Sequence, residues 1–396
     1  MNDLRPVALT SVPMKVAERL FKNHLSSTVK QMADPLQFAY QEKRNCSDAI
    51  VVMLAKIYSH LENSRHGNSV RIMFFDFSSA FNTIQPHILI NKLMGSVPCS
   101  LLQWILNYLT NRTQCMKLPS GTTSATIISN TGAPQGTVLA PFLFTLYTAD
   151  CRSTIETCLL IKFADGTAMI GLITKDNDSV YIDQVNSFVK YCDTNYLELN
   201  VVKTKEMIID YRKKQQLVTA IIIKGVEVEN IETYKYLGLT LDNKLNWHSN
   251  ADILIKKLNI RMYSLRKLYT FGVNCKVLLM FYNTIIASVW RYCLVVWGGN
   301  MTRGDRDRLD KLIKEAGRVI GEALPNIQSV YEQELGMSLS KIIKDVNHPL
   351  CAVLNAQIIP RSGRMRLPLA VTNRHSSSFI PQVIRLHNLS VGRTKV

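Results

Sequence analysis

Val70–Asp76 reads VRIMFFD, and Leu159–Gly171 reads LLIKFADGTAMIG. Each is a short apolar run that ends or turns at an aspartate. Apolar runs bounded by turn-forming residues are the mark of buried strands. Val70–Phe75 is then one strand closing at Asp76. Leu159–Phe163 and Thr167–Ile173 are two more, flanking Asp165–Gly166, and Asp-Gly between such runs is a strong hairpin signal. An aspartate after a strand is ordinarily a turn former or a helix cap. Two of them at strand ends have a second use. Phosphoryl transfer by two metal ions needs carboxylates fixed on adjacent strands.

Outward from these strands, helical spacing of apolar residues predicts helices over 13–32 (Met14, Ala17, Leu20, Phe21, Leu25) and 46–63 (Ile50, Val51, Leu54, Ile57, Tyr58, Leu61, with Ser47 as N-cap). Asn63–Asn68 is a turn. Residues 86–95, 98–110, 138–147 and 178–196 also read as helices. Thr113–Ser129 is strand-like, broken at Pro119–Ser120–Gly121, and Gly132–Gly136 is a loop. Further strands are expected near 206–211, 219–223 and 234–241. Strands alternating with helices and hairpins predict an α+β fold, an antiparallel sheet backed by helices. After Trp247 the chain reads as helical and basic. Leu254, Leu258, Met262 and Leu265, with Leu268 or Tyr269, line one face. From about 322 the signals weaken, and Pro349, Pro360, Pro368 and Pro381 punctuate the end.

The chain has 396 residues, 47% hydrophobic, with a formal charge of +17. That is enough apolar material for several lobes rather than one compact unit. The charge is uneven. Residues 1–246 carry 25 Lys and Arg against 21 Asp and Glu, residues 247–321 carry 13 against 5, and residues 322–396 carry 9 against 4. A basic C-terminal half suits a polyanion such as nucleic acid, although a solvated basic surface reads the same way. Nine scattered cysteines, none in a C-x-x-C pair and none clustered with histidine at zinc-ligand spacing, predict free thiols, a reducing intracellular compartment and no zinc site. No signal peptide opens the sequence. Val277–Trp297 is apolar enough to suggest a membrane span. It contains Asn283, Thr284, Ser288 and Arg291, which favours a buried helix or helix pair.

The residues around the two aspartates resemble the reverse transcriptases of LINE-type (non-LTR) retrotransposons. FFDFSSAFNTIQPHIL (Phe74–Leu89) resembles motif A, GAPQGTVLAPFLFTLYTAD (Gly132–Asp150) motif B, and FADG (Phe163–Gly166) stands at motif C. LELNVVKTKEMIIDYRK (Leu197–Lys213) resembles motif D, and YKYLGLTLDNKLNW (Tyr234–Trp247) resembles the primer-grip motif E. NDLRPVALTSVPMKVAERL (Asn2–Leu20) and QFAYQEKRNCSDAI (Gln37–Ile50) resemble the opening fingers motifs. Order and spacing agree over about residues 1–320.

The resemblance implies a right-hand polymerase. Fingers would be 1–69, shortened at the N-terminus, with an insertion at 95–129. The palm, with its antiparallel sheet, would be 70–94 and 130–246. A helical thumb would span 247–321, and 322–396 would be a basic C-terminal tail. Asp76 and Asp165 would bind two Mg²⁺ (or Mn²⁺) ions. Phe81 would be the steric gate against a ribose 2′-hydroxyl. Gln135 and Gly136 would lie under the incoming deoxynucleoside triphosphate, and Arg5 would touch its phosphates. Lys203, with Lys205 as a rival, would protonate the leaving pyrophosphate. Tyr236, Leu237 and Gly238 would hold the DNA primer end. Lys256, Lys257, Arg261, Arg266 and Lys267 on the thumb would face the RNA template and primer. Arg361, Arg364, Arg366 and Arg374 in the tail touch nucleic acid or are simply solvated.

The sequence departs from the family at one chemical position. Motif C calls for Asp-Asp, and this chain has Asp165–Gly166. Two expectations follow: an RNA-directed DNA polymerase weakened at Gly166, or an inactive retrotransposon remnant that still binds RNA or RNA–DNA hybrid. Asp150, beyond the motif B helix, is not expected to replace the lost carboxylate. Oligomeric state is not legible.

Overall fold

The computed structural model describes residues 7–62, 68–117, 121–212 and 218–393. The expected contact of Arg5 lies outside them. At the centre is a five-stranded sheet in the order Cys158–Phe163, Gly166–Ile173, Ser69–Phe75, Lys205–Ile209, Glu229–Asn230. All its pairings are antiparallel except the last, Lys205↔Glu229, which is parallel.

The apolar runs are explained by burial on both faces. Side chains alternate along a strand. Val70, Ile72 and Phe74 enter one core with the helix Cys46–Leu61, while Met73 and Phe75 enter a second core with the helices Pro86–Leu93, Cys99–Leu109, Leu139–Tyr147 and Ser179–Thr194. The exception in the central strand is Arg71, which is 1% exposed. Its guanidinium donates to both Glu206 oxygens at 2.8 Å, to Asp178 at 2.5 Å and to the Thr219 carbonyl at 2.9 Å. A buried charge is tolerable only with such a full set of partners.

Several boundaries differ from the sequence expectation. The run 234–241 is a hairpin, Thr233–Tyr236 against Leu239–Asp242, rather than one strand. In the 113–129 region the described strands are Arg112–Gln114 and Ile127–Ser129, with an isolated bridge between Lys117 and Thr123. The expected strand 219–223 shrinks to Ile222–Ile223. Val277–Trp297 is broken into the helix Cys275–Phe281, a π-helical turn Tyr282–Ala287, and short helices Ser288–Trp290 and Leu294–Trp297. No helix among the described residues is long and apolar enough to cross a membrane.

The helix His248–Thr270 buries Leu254, Leu258, Met262 and Leu265 as its spacing requires, and packs on the helix Arg303–Ile320. Lys256, Lys257, Arg266 and Lys267 are exposed. Arg261 differs, since its guanidinium donates to the Ile285 carbonyl.

The last segment corrects the expectation of a tail. Residues 327–393 form the helices Ile327–Lys344, Cys351–Asn355, Asn373–Ser376 and Phe379–Arg393. Pro381 misled because it falls in the first turn of a helix, where its missing N–H removes no intrahelical bond. These helices grip both ends of Cys46–Leu61. At its start Asp48 closes a capping box with Asn45 and receives Lys341 at 2.8 Å, while Arg44 reaches Asp345 at 2.5 Å. At its end Glu62 accepts from the Val371 and Thr372 N–H groups, the Thr372 hydroxyl and His375.

This docking is expected to be acid-sensitive. Burial raises the Asp48 and Glu62 carboxyls, but hydrogen bonds and cations outweigh it, from His348 and Lys341 for Asp48 and from Thr372, Val371 and His375 for Glu62. Both carboxyls therefore lie below their ordinary values of 3.8 and 4.5. Their contribution is complete above those values and is lost as pH falls through the depressed folded ones. Amide exchange followed from about pH 6 to about pH 3 should show residues 327–393 loosening before the central strand. Simultaneous loss of both would refute separate acid release.

Candidate active site

Asp76 follows the central strand directly, and Asp165 sits in the hairpin between the next two strands. Phe75 pairs with Thr167, so continuing the register by one residue sets Asp76 across from Gly166, the neighbour of Asp165. Both aspartates are half-buried. Each leaves an electrostatic trace on a nearby phenol. Burial raises the Tyr40 hydroxyl and the Asp165 charge raises it further; Tyr234 responds in the same way to burial and then to Asp76.

The hairpin turn differs from expectation in register. Phe163 pairs with Gly166, so the two turn residues are Ala164 and Asp165, not Asp165 and Gly166. Ala164 takes the left-handed conformation at φ +57°, and Gly166 does not. The glycine is therefore not required by the backbone. A Cβ added there meets only the Phe163 carbonyl oxygen, at an ordinary 3.4 Å.

Asp76 is fixed through its main chain. Its N–H approaches the Thr204 hydroxyl at 3.4 Å, its carbonyl accepts from Asn200 N–H at 2.9 Å, and Ser78 N–H donates to the Glu198 carbonyl at 2.8 Å. The 198–204 turn thus lies along 76–78. Lys203 projects from this turn and is exposed. Its rival Lys205 is committed to Glu229 at 2.6 Å and to the Val202 carbonyl at 2.8 Å.

Phe81 lies on the short 3₁₀ turn Ala80–Asn82, beside the 132–136 loop. Ala133 N–H donates to the Phe81 carbonyl at 2.8 Å, and Gly132 N–H donates to that of Ile84 at 2.7 Å. The Phe81 ring rests 5.0 Å from that of Phe144 and stays half-exposed. Gly132 matters here, which the sequence did not reveal: at φ +70° its Cβ would fall 2.8 Å from the Asn82 backbone. Gly136, at φ +97°, is approached by Val7 of the chain itself, whose Cγ1 would sit 2.8 Å from an added Cβ. The Gln135 carbonyl accepts from Ala8 N–H at 2.7 Å. Beneath this loop the fully buried Glu18 receives the Val138 and Leu139 N–H groups at 2.6 and 3.2 Å. A carboxylate there meets the positive end of the helix Leu139–Tyr147.

The Tyr236–Leu239 hairpin stands near Asp76, whose charge acts on Tyr234. Tyr234 stacks on Phe74 at 4.1 Å between ring centres. Leu237 and Gly238 form its turn with φ +45° and +85°, the sign pair of a type I′ turn. The Tyr292 hydroxyl, from the helical region beyond, donates to the Leu237 carbonyl at 2.8 Å. Tyr236 is buried, while Gly238 at the tip and Lys235 on the strand before it are exposed.

Two further residues escaped sequence reading. Lys162 is 3% exposed at the edge strand, and its ammonium meets Asp34 at 2.7 Å and the Thr148 and Cys151 carbonyls at 2.6 and 2.8 Å. Gln37, 1% exposed, hydrogen-bonds to Ala164 in the aspartate turn. The one available signal was polarity inside apolar surroundings. Asp150 is held by Lys92 at 2.8 Å and Tyr191 at 2.7 Å.

The donor set of Asp76 and Asp165 is all oxygen, which fits hard divalent cations such as Mg²⁺ or Mn²⁺. Elsewhere the fold brings ligand atoms of His248, Asp252 and Asp305 within 4.8 Å of one another. There Arg308 bridges both carboxylates at 2.8 and 3.0 Å, so their charge is met by the chain itself.

Residues 1–241 match the family described as reverse transcriptase (RNA-dependent DNA polymerase). A probable RNA-directed DNA polymerase from transposon BS of Drosophila melanogaster is 24% identical over 331 residues, 80% of this chain and 36% of that protein. The RNA-directed DNA polymerase from mobile element jockey of the same species is 22% identical over 316 residues, 75% of this chain and 33% of that one. The chain thus spans about a third of the length of these curated relatives. Apo telomerase from Candida tropicalis overlays with a TM-score of 0.39 at 13% identity, covering 84% of this chain and 58% of its own.

Proposed function

The chain belongs to the reverse transcriptase family, in its LINE-type (non-LTR) branch with a right-hand polymerase fold, and on that footing we propose that it extends a DNA primer along an RNA template. The observation that carries this is the register that sets Asp76 against the Asp165–Gly166 hairpin at one end of a buried sheet. The proposed fingers are 1–69 and 95–129, the palm 70–94 and 130–246, and the thumb 247–321. The helices within 327–393 brace the proposed fingers helix Cys46–Leu61 at both ends. Nine free cysteines fit a reducing, intracellular setting.

Two Mg²⁺ or Mn²⁺ ions at Asp76 and Asp165 would activate the primer 3′-hydroxyl and neutralise the triphosphate. The chain's own residues do the rest. The Phe81 ring, which rests against Phe144, would exclude a 2′-hydroxyl from the sugar site. The Gln135–Gly136 loop, braced by Glu18 and Ala8, floors the nucleotide site. Lys203, unlike Lys205, has an exposed ammonium to offer a proton to departing pyrophosphate. The Leu237–Gly238 tip, tied by Tyr292, backs the primer end. Lys256, Lys257, Arg266 and Lys267 give the thumb a cationic face for phosphates. Arg361, Arg364 and Arg366 are exposed and available to the same partner, whereas Arg374 lies over the Tyr211 ring at 4.1 Å.

A second reading rests on Gly166: the chain binds hybrid without extending it. A labelled DNA primer on an RNA template, with the four deoxynucleotides and Mg²⁺ or Mn²⁺, separates the two. Template-directed extension that disappears in Asp76→Asn supports the polymerase. Salt-sensitive hybrid binding without any extension supports the remnant. Absence of both would remove the proposed function.

A further inference from the structure

Gln37 has a side chain that does the work of a strand residue. The segment around it extends the sheet past its edge: Phe38 N–H donates to the Lys162 carbonyl at 2.9 Å, and Lys162 N–H donates to that of Leu36 at 2.9 Å. Main-chain pairing stops there, because the chain turns at Ala164. The Gln37 amide carries the pairing one step further. Its Oε1 accepts from Ala164 N–H at 3.2 Å and from its own neighbour Ala39 N–H at 3.1 Å, and its Nε2 approaches the Ala164 carbonyl at 3.4 Å. Both backbone polar groups of Ala164, its N–H and its carbonyl, are thus addressed by one buried amide.

Ala164 is the residue that needs this. At φ +57° it adopts a left-handed conformation that costs a non-glycine residue free energy. Asp165 follows it directly, so the Ala164 conformation sets the direction in which the carboxylate leaves the hairpin. The amide is anchored in turn, since Asp34, at the head of the same segment, is paired with buried Lys162.

We propose that Gln37 is a positioning residue for the metal-binding carboxylate Asp165, acting through the Ala164 backbone. The inference rests on the proposed metal role of Asp165. Glutamine is specific to the task, because it offers an acceptor and a donor on one planar group. Glutamate keeps the acceptor for Ala39 and Ala164 but loses the donor, and methionine keeps the shape and loses both.

The test is Mn²⁺ binding by the full chain, read from the loss of the free-ion electron paramagnetic resonance signal, with thermal unfolding recorded alongside. Asp165→Asn is the reference that defines the site. Gln37→Met should weaken Mn²⁺ binding by about tenfold or more, the usual loss when an outer partner of a metal ligand is removed. Gln37→Glu covers the case in which Gln37→Met does not fold. A bystander carboxylate near the site would tighten Mn²⁺ binding by simple attraction. Weaker binding in Gln37→Glu therefore supports positioning, and equal or tighter binding overturns it. Parent-like affinity in a folded Gln37→Met also overturns it. If Asp165→Asn itself binds Mn²⁺ like the parent, the metal role of Asp165 fails, and with it the premise rather than the Gln37 geometry alone.

Discussion

Gly166→Asp should raise primer extension on an RNA template by about 10- to 100-fold or more, the largest gain available to a single substitution in this chain. Partners one step removed from a metal carry that range, and a carboxylate at 166 stands beside Asp165 itself, so the gain is at least as large. The backbone is ready for it. Gly166 is not in the left-handed region, and a Cβ there touches only the Phe163 carbonyl oxygen at 3.4 Å. The register that puts position 166 across from Asp76 puts the new carboxylate on the same strand end. The substitution also carries a cost. Three carboxylates in one place repel one another without a cation, so the metal-free variant should melt below the parent. Added Mg²⁺ should then raise its melting temperature more than the parent's, since a ligand that binds only the folded state stabilises it. A folded variant that gains Mg²⁺-dependent stability but no extension would show that the chemistry is blocked elsewhere. A variant with neither gain would show that Asp76 and position 166 do not share a metal.

The strands carrying this site were legible because they are buried on both sides. VRIMFF and LLIKF alternate between two cores, so nearly every position is apolar and the run stands out. The aspartates were legible because they end those runs. What sequence could not show was the turn register. Asp-Gly suggests a hairpin centred on its own two residues, yet the turn is Ala164–Asp165, held by an amide from a segment 127 residues earlier in the chain. Local propensity is blind to such a partner. The same blindness hid the hairpin at 237–238, where leucine at φ +45° is fixed by a tyrosine hydroxyl 55 residues away. It also hid the C-terminal helices, whose apolar faces pack on one another and on the distant helices Cys46–Leu61 and Leu294–Trp297. Phe81, Gln135 and Gly136 were named from family resemblance, and their setting was not. The close approach at Gly136 comes from Val7, and Gly132 is the tighter glycine.

Lys162→Met should destabilise the fold by about 3–5 kcal/mol, the cost of removing one member of a buried ion pair. Lys162 and Asp34 are each 4% exposed in their side chains, so solvent does not soften the loss. Asp34 would remain as a buried carboxylate facing no cation. The double variant Asp34→Leu with Lys162→Met removes that orphan charge and should recover part of the stability, because apolar replacement of a whole buried pair is often nearly neutral. Recovery should be incomplete. The ammonium also satisfies the Thr148 and Cys151 carbonyls, and each buried polar group left without a partner costs about 1–3 kcal/mol. Urea unfolding of the parent, both single variants and the double variant measures the pair and the carbonyl contributions separately. The geometry also predicts where the damage falls. Lys162 joins the segment carrying Gln37, the end of the helix Leu139–Tyr147 and the strand that leads into Ala164–Asp165, so amide protection should drop around 162–167 before it drops in Ser69–Phe75. Full stability in Lys162→Met would mean that the buried pair is no support of the active-site turn.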